Sequence, residues 1–269
     1  MRIVALGTGD AFNGGGRGHT CFALEDAQGL CLIDAGGQVL SALHASGLEP
    51  ARIDAVHFTH LHGDHIAGWP FLLVDAVYRQ KRARPLVVTG PVGTQERLDA
   101  LWAASYADAA KKPLPFALQV LELSPGEVRE VCGRKLEALR AQHMRPPHVA
   151  LSLRLTSEEC VAFTGDTGPH EGLLALAKGA EVLFGECTEL VARAPGVPDP
   201  KAGADYPPES GRRHLAWDDW KALLPKLEGV PVRLVHLSEE MRLGVAIVRE
   251  EGGALGDVWA LDDGDEIDV

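Results

Sequence analysis

Thr59-His60-Leu61-His62-Gly63-Asp64-His65 decides how the chain is read. Three imidazoles and one carboxylate fall within six residues, directly after the apolar run from Ile53. Neutral imidazole and carboxylate are the usual ligands of zinc and related divalent ions. A polar loop with chance histidines does not account for that density. In an extended segment, His60 and His62 are two apart and share a side. Gly63 is expected to allow a sharp turn. Asp64 and His65 then open a helix, where a carboxylate is favoured by the helix dipole. The pairs His60/His62 and Asp64/His65 would face two adjacent points, which suits two metals held close together. The stretch directs the reading toward a metal-dependent hydrolase.

Working outward, the N-terminal third reads as short strands with glycine-rich turns. Arg2–Leu6, Thr20–Leu24, Leu30–Asp34 and Ile53–Thr59 are expected strands, and Gln38–Ser46 a helix. The helix after the histidines is expected over Ile66–Tyr78. Strands are then expected at Leu86–Thr89, Ala117–Leu123, Arg134–Ala141, Ala150–Leu155, Cys160–Phe163, Val182–Gly185 and Val232–His236. Helices are expected at Thr94–Tyr106, Glu171–Lys178, Trp217–Leu224 and Glu239–Glu251. Pro195–Gly211 is rich in proline and glycine and reads as an exposed loop. No linker or repeat divides the chain, so 1–269 is expected to be one domain. Two strand-rich halves, each followed by helices, suggest two packed sheets with helices outside, in the α/β class.

The 269 residues carry 46% hydrophobic and 24% charged residues, ordinary for a globular protein. No run of about 18 apolar residues appears, so no membrane span is expected. The five cysteines (Cys21, Cys31, Cys132, Cys160, Cys187) are scattered and never in CxxC spacing. That argues against a disulfide framework or a structural zinc site, and a reducing cytoplasm is the expected location. The net charge of −12 argues against a broad electrostatic grip on nucleic acid, which is not expected as a partner.

The segment at 60–65 resembles the HxHxDH signature of the metallo-β-lactamase superfamily. Further positions match that family in order: His143 in Ala-Gln-His-Met, Asp166 in Val161-Ala-Phe-Thr-Gly-Asp-Thr-Gly168, and His236 in Arg233-Leu-Val-His-Leu-Ser238. The resemblance covers nearly the whole chain and implies a four-layer αββα sandwich. It implies one metal on His60, His62 and His143, another on Asp64, His65 and His236, and Asp166 between them. Zinc is the default, with manganese or iron as alternatives. Such a site favours a small anionic ester, attacked by a metal-bound hydroxide formed at neutral pH.

His214, in Arg212-Arg-His-Leu-Ala-Trp217, stands where the phosphodiesterase branch of the superfamily has a histidine that protonates the leaving oxygen. That branch includes the tRNA 3′-end processing endonuclease and the cyclic phosphodiesterase of phosphonate breakdown. Glu186, in Gly185-Glu-Cys-Thr188, resembles a glutamate that orients that histidine. With Asp64 as a catalytic-site carboxylate, these imply a phosphodiesterase acting on a small or cyclic phosphodiester. The stretch from His143 to Asp166 leaves no room for the tRNA-gripping arm, and Gly7–Gly18 lacks the cysteine-rich loop of the phosphonate enzyme. The alternatives are a lactone or thioester hydrolase on the same site, the tRNA endonuclease itself, and a non-catalytic metal or ligand sensor. Homodimers are common in the resembled branch.

The other histidines have plainer readings. His19 is read as a loop histidine, His57 as a packed core residue and His44 as helix surface. His148 and His170 are placed in solvated loops. Arg79, Lys81, Arg82 and Arg84 read as a solvated basic face, and Arg212 and Arg213 as candidates to meet a phosphate. Gly7–Gly18 lacks the form of a nucleotide-binding loop and is expected as a turn near the metal mouth.

Overall fold

A computed structural model describes residues 1–192 and 212–269. Among the described residues, fourteen strands run in chain order as β1 (Arg2–Gly7), β2 (Cys21–Asp26), β3 (Gly29–Ile33), β4 (Ile53–His57), β5 (Leu86–Pro91), β6 (Leu118–Leu123), β7 (Val128–Val131), β8 (Arg134–Ala141), β9 (Ala150–Thr156), β10 (Cys160–Phe163), β11 (Val182–Glu186), β12 (Val232–Val235), β13 (Val258–Ala260) and β14 (Glu266–Asp268). They form two seven-stranded sheets, β14-β1-β2-β3-β4-β5-β6 and β13-β12-β11-β10-β9-β8-β7. In the first, β3 to β6 are parallel. In the second, β10 to β13 are parallel.

Alternation along the strands builds three apolar layers. Ile3, Ala5, Phe22, Leu24, Cys31 and Ile33 point from the first sheet to meet Leu151, Leu153, Val161, Phe163 and Phe184 of the second. Phe22 touches Phe163 and Phe184 with ring centroids 5.1 and 4.9 Å apart. Val4, Leu6, Ala23 and Leu32 face the other way, under Val39, Leu43, Trp69, Leu72 and Leu98 of helices. On the far side, Ala162, Leu183 and Leu234 lie under Leu173, Trp217, Trp220, Met241 and Val248. Strands covered on both faces must be apolar on both, which is why Ile3–Leu6 and Val182–Phe184 read as continuous runs. The result is the expected αββα sandwich.

The structure departs from the sequence reading at three short strands, β7, β13 and β14, that were not foreseen. β7 and β14 are edge strands, largely exposed, so neither carries an apolar run. The helix expected over Ile66–Tyr78 is broken into Gly63–Ile66 and Trp69–Val74, followed by a π-helical turn at Asp75–Arg79. The last helix runs from Met241 to Leu255, through Gly252 and Gly253. The loop expected at Pro195–Gly211 lies outside the described residues. Among the described residues, no helix is long and apolar enough to cross a membrane.

Arg82 corrects the expected solvated basic face. It is buried, and its guanidinium donates to the carbonyls of Ile53 (2.7 Å), Pro85 (2.6 Å) and Arg84 (3.0 Å). Burial is tolerable there because four carbonyls, that of Ala51 (3.3 Å) included, accept its protons.

Candidate metal and catalytic site

Both sheets end on the same mouth. Asp34 follows β3, Thr59 and His60 follow β4, Asp166 follows β10, Glu186 closes β11 and His236 follows β12. All six are at the carboxyl ends of parallel strands, where open α/β sheets place their ligands. His143 arrives from the end of the antiparallel β8. Asp34 and His236 both adopt left-handed backbone, with φ of 59° and 58°. Such strain in non-glycine residues gathers at functional sites.

Gly63 does not act as expected. Its φ is not positive, and a β-carbon there would meet nothing within 4 Å. The close approach lies instead at Gly36, where a β-carbon would come 2.7 Å from the Asp64 carbonyl oxygen.

Hydrogen-bond partners fix which histidine nitrogen carries its proton. His65 Nδ1 is 2.7 Å from Asp34 Oδ2, and His143 Nδ1 is 3.1 Å from the Arg213 carbonyl. His60 Nδ1 is 3.1 Å from Thr59 Oγ1, whose own proton goes to Asp34. His236 Nδ1 is 3.1 Å from Thr20 Oγ1, whose proton goes to the Gly9 carbonyl. In each case Nδ1 must donate, so Nε2 is the nitrogen left to face a cation. The Nε2 atoms of His60 and His143 lie 3.1 and 3.0 Å from His62 Nδ1. His62 can offer a proton to one of them but not both; a shared cation satisfies all three. His65 Nε2 is buried with no hydrogen-bond partner, though Asp64 and Asp166 approach it to 3.2 and 3.4 Å.

Charge points the same way. Burial raises the proton affinity of Asp166, yet His236, His65 and His60 hold its carboxyl well below the usual range. Burial lowers that of His65, yet Asp166, Asp64 and Asp34 hold it well above the usual range. Burial pushes His143 down to about 3. Among the described residues, none of these three carboxylates pairs with a lysine or arginine through its side chain. The cluster therefore retains a proton where it lacks a cation. Two groups of donors, His60/His62/His143 and Asp64/His65/Asp166/His236, each lie within 4.8 Å of one another. Imidazole and carboxylate without thiolate fit a divalent metal.

His214 stands over this cluster, stacked on His236 at 5.4 Å and edge-on to His143 at 4.8 Å. Its Nδ1 is 3.0 Å from Glu186 Oε1 and 3.2 Å from Thr188 Oγ1. Glu186 is itself held by the Thr167 backbone N–H (2.7 Å) and the Thr188 hydroxyl (2.7 Å). Burial lowers the His214 imidazole, but Glu186 outweighs it, by charge and hydrogen bond, and carries it up to about 9. All eight sequence-derived positions other than Glu186 (His60, His62, Asp64, His65, His143, Asp166, His214 and His236) thus converge, and Glu186 sits directly behind His214.

The reading missed Asp34, Thr20, Thr59 and Thr188, which hold the histidines from behind. The available signal was an acidic residue at a strand end before Ala35-Gly36-Gly37. Among the remaining histidines, His44 and His148 are exposed and His57 is core, as expected. His170 is half-buried rather than solvated, with its Nε2 shielded. His19 is more than a loop histidine: its Nδ1 accepts from the Gly37 N–H (3.3 Å), and it packs on Gly36 beside Asp64. Arg212 is engaged by Asp219 rather than free for a phosphate.

The family model described as Anti-Pycsar protein Apyc1 matches residues 1–195. That span includes His60 to Glu186 and stops before His214 and His236. A Ribonuclease Z from Methanothermobacter thermautotrophicus is 27% identical over 234 residues, covering 70% of this chain and 74% of that protein. The metallo-β-lactamase fold protein YhfI from Bacillus subtilis superposes with a TM-score of 0.73 at 20% identity, covering 99% of each chain. The short form of human tRNase Z gives 0.72 at 21%, covering 100% of this chain and 99% of that one. Zinc-bound PqqB from Methylobacterium extorquens gives 0.72 at 16%, covering 100% of both.

These relatives correct one expectation. Nucleic acid was not expected as a partner, yet the matched relative is a ribonuclease and the human neighbour a tRNase. The net charge of −12 is a sum over the whole surface. It does not report the field at a mouth designed to hold cations.

Proposed function

Because the chain belongs to the Apyc1 family and to the tRNase Z-like branch of the metallo-β-lactamase superfamily, and is a metal-dependent phosphodiester hydrolase, we propose that its substrate is a small or cyclic phosphodiester. The observation that carries this reading is the pair His214–Glu186 standing over the histidine cluster. An ester of a carboxylic acid needs no such proton donor at the leaving oxygen.

In this reading one domain carries the whole site. His60, His62 and His143 would hold one divalent ion and Asp64, His65 and His236 a second, with Asp166 within reach of either group. The donor set and the zinc-bound neighbour support zinc. When bound, the ions supply positive charge for the phosphate oxygens and acidify water enough for attack at neutral pH. Glu186 keeps the His214 proton on Nδ1 and stabilises the imidazolium. The opposite nitrogen of His214 then gives its proton to the departing oxygen as the P–O bond breaks. Asp34, Thr59, Thr20 and the Arg213 carbonyl hold the ligand imidazoles in the tautomer that leaves Nε2 available.

The compact stretch between His143 and Asp166, which passes straight into β9 and β10, supports a small substrate. RNA 3′-end processing is the second reading, favoured by the ribonuclease relatives. The test compares bis(p-nitrophenyl) phosphate, a 2′,3′-cyclic nucleotide, a precursor tRNA, a lactone and a thioester. Turnover of the first two is expected, and His214→Ala should lower kcat on the cyclic nucleotide by about 10²–10⁴-fold. Turnover of the lactone or thioester alone, or an unchanged rate in His214→Ala, would overturn the reading.

A further inference from the structure

We infer that His19 is a substrate-binding residue, its Nε2–H donating to a nonbridging oxygen of the phosphoryl group. His19 stands between the two segments that bring candidate ligands to the mouth from the first sheet and the second. On one side it lies against Gly36, where a β-carbon would come 2.5 Å from His19 Cβ and 2.7 Å from the Asp64 carbonyl oxygen. On the other, its backbone pairs with Gly9, which also pairs with Leu237, the neighbour of His236. The next residue, Thr20, lies 3.1 Å from His236 Nδ1. The charges that act on the ring are accordingly those of Asp64, His65 and His236, with Asp10.

One edge of the ring is anchored and the other is open. The His19 carbonyl accepts from Gln38 Nε2 at 2.6 Å, which pins the backbone. Nδ1 accepts the Gly37 N–H at 3.3 Å. A ring that accepts at Nδ1 is neutral and carries its hydrogen on Nε2. That N–H has no hydrogen-bond partner among the described residues, and the side chain is half-buried. His60, His65, His143 and His236 show the opposite arrangement: they donate from Nδ1 and turn Nε2 to the cation site. His19 is thus set for an acceptor rather than for a metal. Arg212, the side chain that the sequence offered to a phosphate, is engaged by Asp219. A neutral N–H can meet the anion there without repelling the ions beside it.

This inference rests on the phosphodiesterase reading and is tested so that the two fail differently. KM and kcat are measured on bis(p-nitrophenyl) phosphate and uridine 2′,3′-cyclic phosphate, which have the phosphodiester group in common and no sugar in common. His19→Ala should raise KM about 10–100-fold, the loss of a hydrogen bond to a charged group, and leave kcat unchanged. The rise should appear on each of the two that wild type hydrolyses. A glutamine amide nitrogen can take the place of Nε2, and an asparagine oxygen the place of Nδ1. His19→Gln should therefore restore most of the affinity, and His19→Asn, which can only hold Gly37, should not. Metal content should match wild type in all three variants. Unchanged KM in His19→Ala, rescue by asparagine, no rescue by glutamine, a rise confined to the nucleotide, or a loss of bound metal would overturn the inference while the phosphodiesterase reading stands. Wild-type protein inactive on both substrates would overturn that reading and the inference with it.

Discussion

Asp34 reaches His65 across 31 positions of sequence, and it takes two further hydrogen bonds from Thr59, at its backbone N–H and its hydroxyl. Its carboxylate therefore sets the tautomer of one candidate ligand and the hydroxyl that orients another, His60. Asp34→Asn keeps the size and removes the charge. Metal affinity should fall about 10–100-fold, as for other carboxylates behind ligating histidines, and competition with a chelating dye would measure it. An unchanged affinity would mean that Asp34 only packs. Residues of this kind show the limit of sequence reading. His60 to His65 were legible because four ligand residues fall within six positions, and His143, Asp166 and His236 because their segments resemble a family pattern. Thr20 gave no signal: its partner, His236, lies 216 positions away, and a threonine at a strand start looks the same whether or not an imidazole waits beside it.

At the scale of the element, β11 shows how packing positions chemistry. Gly185 lies under the Trp220 ring, and a β-carbon there would come within 2.2 Å of it. Trp220 in turn donates from Nε1 to the Glu186 carbonyl at 2.8 Å. The helix Trp217–Leu223 thus clamps the strand end that aims Glu186 at His214. Gly185→Ala should push the indole away, destabilise the fold by about 1–3 kcal/mol, and lower kcat on a phosphodiester beyond what partial unfolding explains. Thermal unfolding and kinetics measured together would separate the two effects. The strand itself was legible as an apolar run, as were most of the buried strands. The broken helix at Gly63–Val74 was not, because Ile66, Trp69, Leu72 and Leu73 keep helical spacing across the break. Nor were β7 and β14, whose pairing depends on partners distant in sequence.

Across the whole molecule, the two sheets converge so that one mouth receives residues from both. Its acid sensitivity has a contributor away from the site. His57 is fully buried in β4, with Nδ1 2.9 Å from Thr89 Oγ1. Burial, with the Arg134 charge adding, pushes its imidazole down to about 3. A depressed histidine is neutral when folded but charges when unfolded, so the unfolded chain binds more protons below about pH 6.5. Stability from this group is complete above that pH. It should decline by up to about 1.4 kcal/mol per pH unit as pH falls toward 3. His57→Gln should flatten that slope in urea titrations of metal-free protein; an unchanged slope would contradict the assignment.

The central claim is that seven side chains from both halves of the chain hold two divalent ions. Metal analysis of the purified, dialysed protein by inductively coupled plasma mass spectrometry tests it most directly, with Asp166→Ala beside the wild type. The expected result is two divalent ions per wild-type chain, zinc foremost, and a clear loss of metal in the variant with the fold retained. A wild-type chain that stays free of divalent metal even after incubation with excess zinc, manganese or iron would contradict it.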